Sequence, residues 1–151
     1  MQKDICLFDL DGTLIDSKFG ILNCLRYALL QNGIDEQDPA VLDEFVGPPL
    51  YDTFIRVYGF SHEKSLEATA TYRRRFAEKG VYEHKIYEGA KDMLKALKAA
   101  GKKIMLATSK PLPFAKSILQ QYELTALFDF IGGSNMDNTR SKKAEVIRYI
   151  L

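Results

Sequence analysis

The sequence predicts an α/β fold in which a parallel sheet is interrupted along the chain by an all-helical insertion. Three observations carry this. Apolar runs at residues 4–8 (DICLF) and 103–107 (KIMLA) each stop abruptly at acidic or small polar residues, as buried parallel strands do where they hand side chains to a loop. Helical and strand patterns alternate after residue 86, the signature of a sheet covered by helices. Between about 17 and 85 no segment has the character of a strand.

The first strand ends at Asp9, Asp11 and Gly12, which places Asp9 at the mouth of a sheet. From Ser17 the spacing turns helical, with Ile21, Leu22, Leu25, Ala28 and Leu29 on one face, Ser17 as the expected N-cap and Gly33 past the end. Pro39 suits the first turn of a short helix, and Gly47, Pro48 and Pro49 break the chain. LYDTFIRVY resumes helix up to Gly59, and Ser61 opens a longer one that Gly80 stops. An amphipathic helix over 90–100, ended by Gly101, precedes the second strand, which finishes in Thr108 and Ser109. A helix over 113–122, a third strand at 128–131, the loop GGSNMDNTRSKK and a final helix complete the pattern. The expected division is a discontinuous α/β core, 1–16 with 86–151, and a helical domain over 17–85.

Composition excludes several classes of function. Hydrophobic residues make up 46% and charged residues 27% of the 151, the balance of an ordinary globular chain. Lys plus Arg (21) almost cancels Asp plus Glu (20), so no global field recruits nucleic acid or an anionic membrane. The opening MQKDICLFDLDG fits neither a secretory signal nor a membrane span, and a cytoplasmic location is expected. Cys6 and Cys24 read as small buried hydrophobes rather than a disulfide or metal pair.

Chemistry concentrates in Asp9-Leu10-Asp11-Gly12-Thr13. Two carboxylates one residue apart can divide labour, one attacking phosphorus while the other protonates the leaving oxygen and later deprotonates water. A dianionic phosphate would repel both, so such a site calls for a divalent cation, and hard oxygen donors suit magnesium. An Asp-Gly turn with an incidental second acid is the bland alternative. A Thr after a strand, as at Thr108, is commonly just a helix cap, and either Lys142 or Lys143 could be a solvated basic start to the last helix. A positive charge is disfavoured at a helix N-terminus unless an anion is near.

The whole run FDLDGTLIDS resembles the first signature of the haloacid dehalogenase superfamily. That resemblance implies a Rossmann-like parallel core with an inserted helical cap, and a hydrolase of small phosphomonoesters. It implies that Asp9 forms an aspartyl-phosphate and that Asp11 is the general acid/base. The Asp9 side chain and the Asp11 backbone carbonyl would bind magnesium. Thr108 is similar to the second signature, a hydroxyl that hydrogen-bonds the transferring phosphoryl group, with adjacent Ser109 and Lys110 expected to assist it. Of the two lysines, Lys143 is the one placed like the third signature, directly before Ala144, Glu145, Val146 and Ile147. The implied phosphate-binding set is Leu10, Gly12, Thr108, Ser109 and Lys143. The helical block resembles a mobile lid, and its GPPL loop and YRRRFAEKGVYEHKIYEG stretch look most like the phosphoglycolate phosphatase and 5'-nucleotidase branch. Arg73, Arg74 and Arg75 point around a helix, so most should be solvated; His62 and His84 lack metal-ligand spacing.

The pattern departs from the superfamily after Lys143, where a fourth signature, a strand ending in paired acids, is expected and not found; neither Asp129 nor Asp137 replaces it. Such a C-terminally incomplete core should bind its cation weakly and leave one edge of the first strand bare. Self-association or swapping through that edge is the expected result, which a clean monomer in concentrated light scattering would contradict. Two functions follow from different classes: hydrolysis of a small phosphorylated metabolite, with no nucleic-acid or membrane partner, or a remnant that binds phosphate compounds or a partner without turnover. A phosphomutase fits less well.

Overall fold

The computed structural model describes residues 4–151, so residues 1–3 of the expected first segment lie outside it. By contacts the chain divides into two compact units, one holding the chain up to Asp16 together with Lys85–Leu151, the other Ser17–His84.

The first unit is built on a parallel sheet of β1 (Ile5–Phe8), β4 (Lys103–Pro111) and β5 (Phe130–Ser134), in the order β1-β4-β5. Ile5 pairs with Lys103 and Phe8 with Leu106, so the two apolar runs align end to end. A two-residue antiparallel ladder, absent from the sequence reading, joins β2 (Ile15–Asp16) to β3 (Lys85–Ile86) where the chain leaves and re-enters this unit. Helices α5 (Ala90–Ala99), α6 (Leu112–Gln121) and α7 (Lys143–Ile150) pack on the strands. Two adjacent glycines in β5 fix how closely they approach: a Cβ on Gly132 would lie 2.5 Å from the Ile150 side chain, and one on Gly133 would lie 2.9 Å from the Leu112 backbone. Neighbouring strand residues face opposite ways, so α7 and α6 cover opposite faces of the sheet.

Asp129 ties this unit together just before β5. Its N–H donates to the Ile104 carbonyl at 2.7 Å, its Oδ2 accepts from the Ile104 N–H at 2.8 Å, and its Oδ1 meets Lys98 Nζ of α5 at 2.6 Å. The Lys98 ammonium, then the Ile104 amide, hold this carboxyl below the usual carboxylate range.

The second unit is all helical, with α1 (Lys18–Gln31), α2 (Pro39–Asp43), α3 (Leu50–Tyr58), α4 (His62–Glu78) and a 3-10 turn at Gly80–Tyr82. Ile21, Leu25, Ala28 and Leu29 of α1 are buried as the spacing predicts, and Cys24 joins them. Ser17 occupies the N-cap position of α1 but makes no side-chain capping bond, whereas Ser61 accepts from the Lys64 N–H at 3.2 Å and Asp38 from the Ala40 N–H at 2.9 Å. Several aromatic residues pack in its core: Phe54 lies 5.1 Å from Phe45 and 5.6 Å from Phe60 between ring centroids. No helix among the described residues is long and apolar enough to cross a membrane.

Arg75, the last of the three consecutive arginines, is drawn into a polar cluster rather than solvated. Arg75 Nη1 lies 2.7 Å from Glu83 Oε1 and 3.0 Å from Cys24 Sγ, while Asn23 Nδ2 donates to Glu83 Oε2 at 2.8 Å. The pair links α4 to the end of the 3-10 turn and, through Asn23, to α1. Arg75, and secondarily Asn23, keep the Glu83 carboxyl below its ordinary 4.5 against the opposing pull of burial. A depressed folded value means that the pair's stabilisation is complete above about pH 4.5 and is lost as pH falls through the lowered value. Urea midpoints of the wild type should therefore drop more steeply below that pH than those of Glu83→Gln; parallel curves would show that the pair contributes nothing.

Candidate active site

The carboxyl end of β1 continues into a tight turn that displays two aspartates. Strand alternation sends Leu10 into the core, fully buried, and leaves Asp9 and Asp11 partly exposed on either side of it. The Leu10 carbonyl collects the Thr13, Leu14 and Ile15 amides at 3.2, 2.9 and 3.2 Å, and Gly12 donates to the Ile15 carbonyl at 2.9 Å. Gly12 adopts φ +77°, a left-handed conformation that a side chain would strain. The turn is thus stitched by its own backbone, and the aspartates are held by a rigid loop.

Each aspartate meets its own lysine. Lys143 Nζ, from the first residue of α7, lies 2.5 Å from Asp9 Oδ2, with the side chains 40% and 37% exposed. Asp9 Oδ1 accepts the Leu10 N–H at 2.8 Å. The unfavourable placement of a cation at a helix N-terminus is offset by this anion. Lys142 is exposed, and its backbone N–H donates to Glu145 Oε2 at 3.1 Å; of the two adjacent lysines, Lys143 is the one that reaches Asp9. The loop before α7 is secured by Arg140, whose Nε donates to the Gly133 carbonyl and Nη2 to Asn135 Oδ1, both at 3.1 Å, and whose guanidinium lies 3.8 Å over the Tyr149 ring.

Asp11 is paired with Lys110, whose Nζ lies 3.0 Å from Asp11 Oδ1; the side chains are 6% and 17% exposed. The sequence offered Lys110 as an assistant to Thr108 on the phosphoryl group and not as the partner of Asp11. The available signal was its spacing, since residues two apart on a strand share a face. β4 extends beyond the expected 107 as far as Pro111, and its pairing with β5 shifts register between Ala107 and Pro111. Within that irregular stretch the Lys110 N–H donates to Thr108 Oγ1 at 3.1 Å.

Thr108 is 1% exposed. Continuing the β1–β4 register past Phe8 and Leu106 sets Asp9 beside Ala107, one residue before Thr108. Ser109 follows, half-buried. Asp9, Asp11, Lys110 and Lys143 are thus joined pairwise by ion pairs, and Thr108 enters through the adjoining strand. His62 contacts Tyr51 and His84 the Val81 carbonyl within the helical unit. No group of three or more His, Cys, Asp or Glu side chains able to hold a metal is found among the described residues. The Asp9 and Asp11 carboxylates are hard oxygen donors of the type that suits magnesium, which is commonly held by one or two carboxylates with water and substrate phosphate completing its shell.

The leading strand of this parallel α/β sheet thus ends in two aspartates, each ion-paired with a lysine. The haloacid dehalogenase-like hydrolase family profile matches residues 6–151, and the chain belongs to that family. It is 43% identical over 145 residues to the 5'-nucleotidase of Pseudomonas aeruginosa, covering 96% of this chain and 66% of that protein. It is 33% identical over 150 residues to tyrosine-protein kinase PtkA of Mycobacterium tuberculosis, covering 99% of this chain and 51% of that one. The chain therefore spans between about half and two thirds of the length of these relatives. Among solved structures, that of a predicted phosphatase from Clostridium acetobutylicum superposes with a TM-score of 0.93 at 43% identity, over 97% of this chain and 68% of that one.

Proposed function

We propose that the protein hydrolyses small phosphomonoesters, of the phosphoglycolate or nucleoside 5'-monophosphate kind, through an aspartyl-phosphate formed on Asp9. The observation that carries this reading is the pairing of Asp9 with Lys143 at the mouth of β1, one register step from Thr108. A carboxylate so placed can attack phosphorus, the neighbouring ammonium offsets the charge of nucleophile and phosphate, and a buried hydroxyl can donate to a phosphoryl oxygen. Leu10, Gly12 and Ser109 supply further polar backbone and side-chain groups for the phosphate. Magnesium, held by the Asp9 carboxylate and the Asp11 carbonyl, supplies neutralisation of phosphate charge when bound. The helical unit serves in this reading as the cap that selects substrate.

The test is a phosphoester panel, run with magnesium and with chelator, that reads free phosphate and phosphotyrosine in parallel. Magnesium-dependent phosphate release supports the reading. Transfer to tyrosine without phosphate release would overturn it, and binding of phosphate compounds without turnover would favour the non-catalytic alternative. The two lysines give a sharper expectation. Lys143→Ala should lower kcat/KM by about 100- to 1,000-fold, since it removes a charge aimed at the transferring group. Lys142→Ala, an exposed charge, should stay within about twofold. Equal losses would mean that Lys143 has no special place.

A further inference from the structure

Lys110 is assigned no step in the hydrolysis proposed above, yet its side chain is 6% exposed and its ammonium lies 3.0 Å from Asp11 Oδ1. We propose that Lys110 is a positioning residue that holds Asp11 as the proton acceptor when water releases the phosphoryl group from Asp9; this rests on the phosphatase reading and adds a role for one residue of it.

Three features carry the inference. The ion pair spans 3.0 Å with the lysine side chain 6% exposed, so it acts where solvent screens it little. Lys110 is presented by a strand, its N–H bound to Thr108 Oγ1 at 3.1 Å, and its carbonyl would lie 2.8 Å from a Cβ placed on Gly133. That close seat against β5 gives the ammonium a rigid mount, the condition for holding a partner in a productive orientation. Finally, the two lysines differ in setting. Lys143 is 40% exposed and can follow a phosphate, while the charge of Lys110 is directed at Asp11.

The Lys110 ammonium lies on Asp11 Oδ1, which leaves Oδ2 as the oxygen turned toward the reacting water. In the hydrolytic step a water O–H bond breaks and its proton passes to an Asp11 oxygen as the water oxygen bonds to phosphorus. The bond between phosphorus and the Asp9 oxygen breaks, which restores the Asp9 carboxylate and releases inorganic phosphate. By holding Oδ1, Lys110 sets the rotation of the Asp11 carboxylate for that proton transfer.

The test uses p-nitrophenyl phosphate, whose leaving group departs without needing a proton. Lys110→Met should lower kcat by about 30- to 100-fold, as misplacement of a catalytic group does, while kcat/KM changes by less than about threefold, because kcat/KM ends at phosphoryl transfer to Asp9. Phosphoenzyme in acid-quenched samples, read by intact mass, should become the dominant form. Lys110→Arg should recover a substantial share of kcat. A parallel fall in kcat and kcat/KM, or a fall in kcat with no phosphoenzyme build-up, would overturn the proposal. Should Lys110→Met fail to fold, Gly133→Ala, which crowds the Lys110 backbone, must show the same split in kcat and kcat/KM, and its absence counts against the idea. If the wild type shows no turnover, the phosphatase reading fails by itself, and Lys110 is judged by crystallography. Several Asp11 conformers in the Lys110 variant against one in the wild type support positioning; a single unchanged conformer refutes it.

Discussion

Asp9→Asn should reduce phosphate release by at least about four orders of magnitude, because the amide keeps the size of the side chain and loses the nucleophile. Stability should barely move. The Asp9–Lys143 pair is more than a third exposed on both sides, and pairs of that kind contribute about 0 to 1 kcal/mol. The melting temperature therefore separates chemistry from folding. Acid-stable phosphoenzyme should also disappear, since no other group in the proposed mechanism accepts the phosphoryl. A variant that retained a tenth of the wild-type rate would remove Asp9 from the mechanism and the aspartyl-phosphate with it.

Gly20→Ala should destabilise the helical unit by about 2 to 3 kcal/mol, the cost of overpacking a close contact. The sign is diagnostic. In a helix interior, Ala is ordinarily favoured over Gly by about 1 kcal/mol. Here the new methyl carbon would lie 2.6 Å from the Glu83 carbonyl oxygen, 2.9 Å from Glu83 Cβ and 3.0 Å from the Gly80 carbonyl oxygen. Two of those atoms are backbone and cannot rotate away, so α1 must lift off the 3-10 turn. That movement would also strain the bonds that Asn23 and Arg75 make with Glu83. Urea unfolding reads the effect, and a midpoint at or above that of the wild type would show that the turn yields freely.

The parts of this molecule that were legible in the sequence are those whose signal is local. The runs that became β1 and the first half of β4 end in polar residues, and that ending shows where a sheet opens. The face of α1 followed from the 3.6-residue repeat. Lys143 was separable from Lys142 by resemblance alone, and the structure supplies the physical difference: one extends to Asp9, while the other lies exposed at the start of α7. What stayed hidden depends on pairing across long stretches of chain. The extension of β4 to Pro111 needs the shifted register against β5, and TSKP by itself reads as the end of a strand. Lys110 finds Asp11 because two strands lie side by side, a fact that no spacing between residues 11 and 110 encodes. Arg75 sits in a run of three arginines that looks solvated, and only Glu83 and Cys24, brought in by the turn and by α1, single it out.

Asp129 has a bearing on how this molecule can move. By gripping both backbone groups of Ile104 and the end of α5, it anchors the near end of the strand whose far end carries Thr108 and Lys110. Adjustment to a passing phosphate is therefore easier at the half-exposed Lys143 side chain, by exchange of its bond to Asp9, than in the scaffold beneath it.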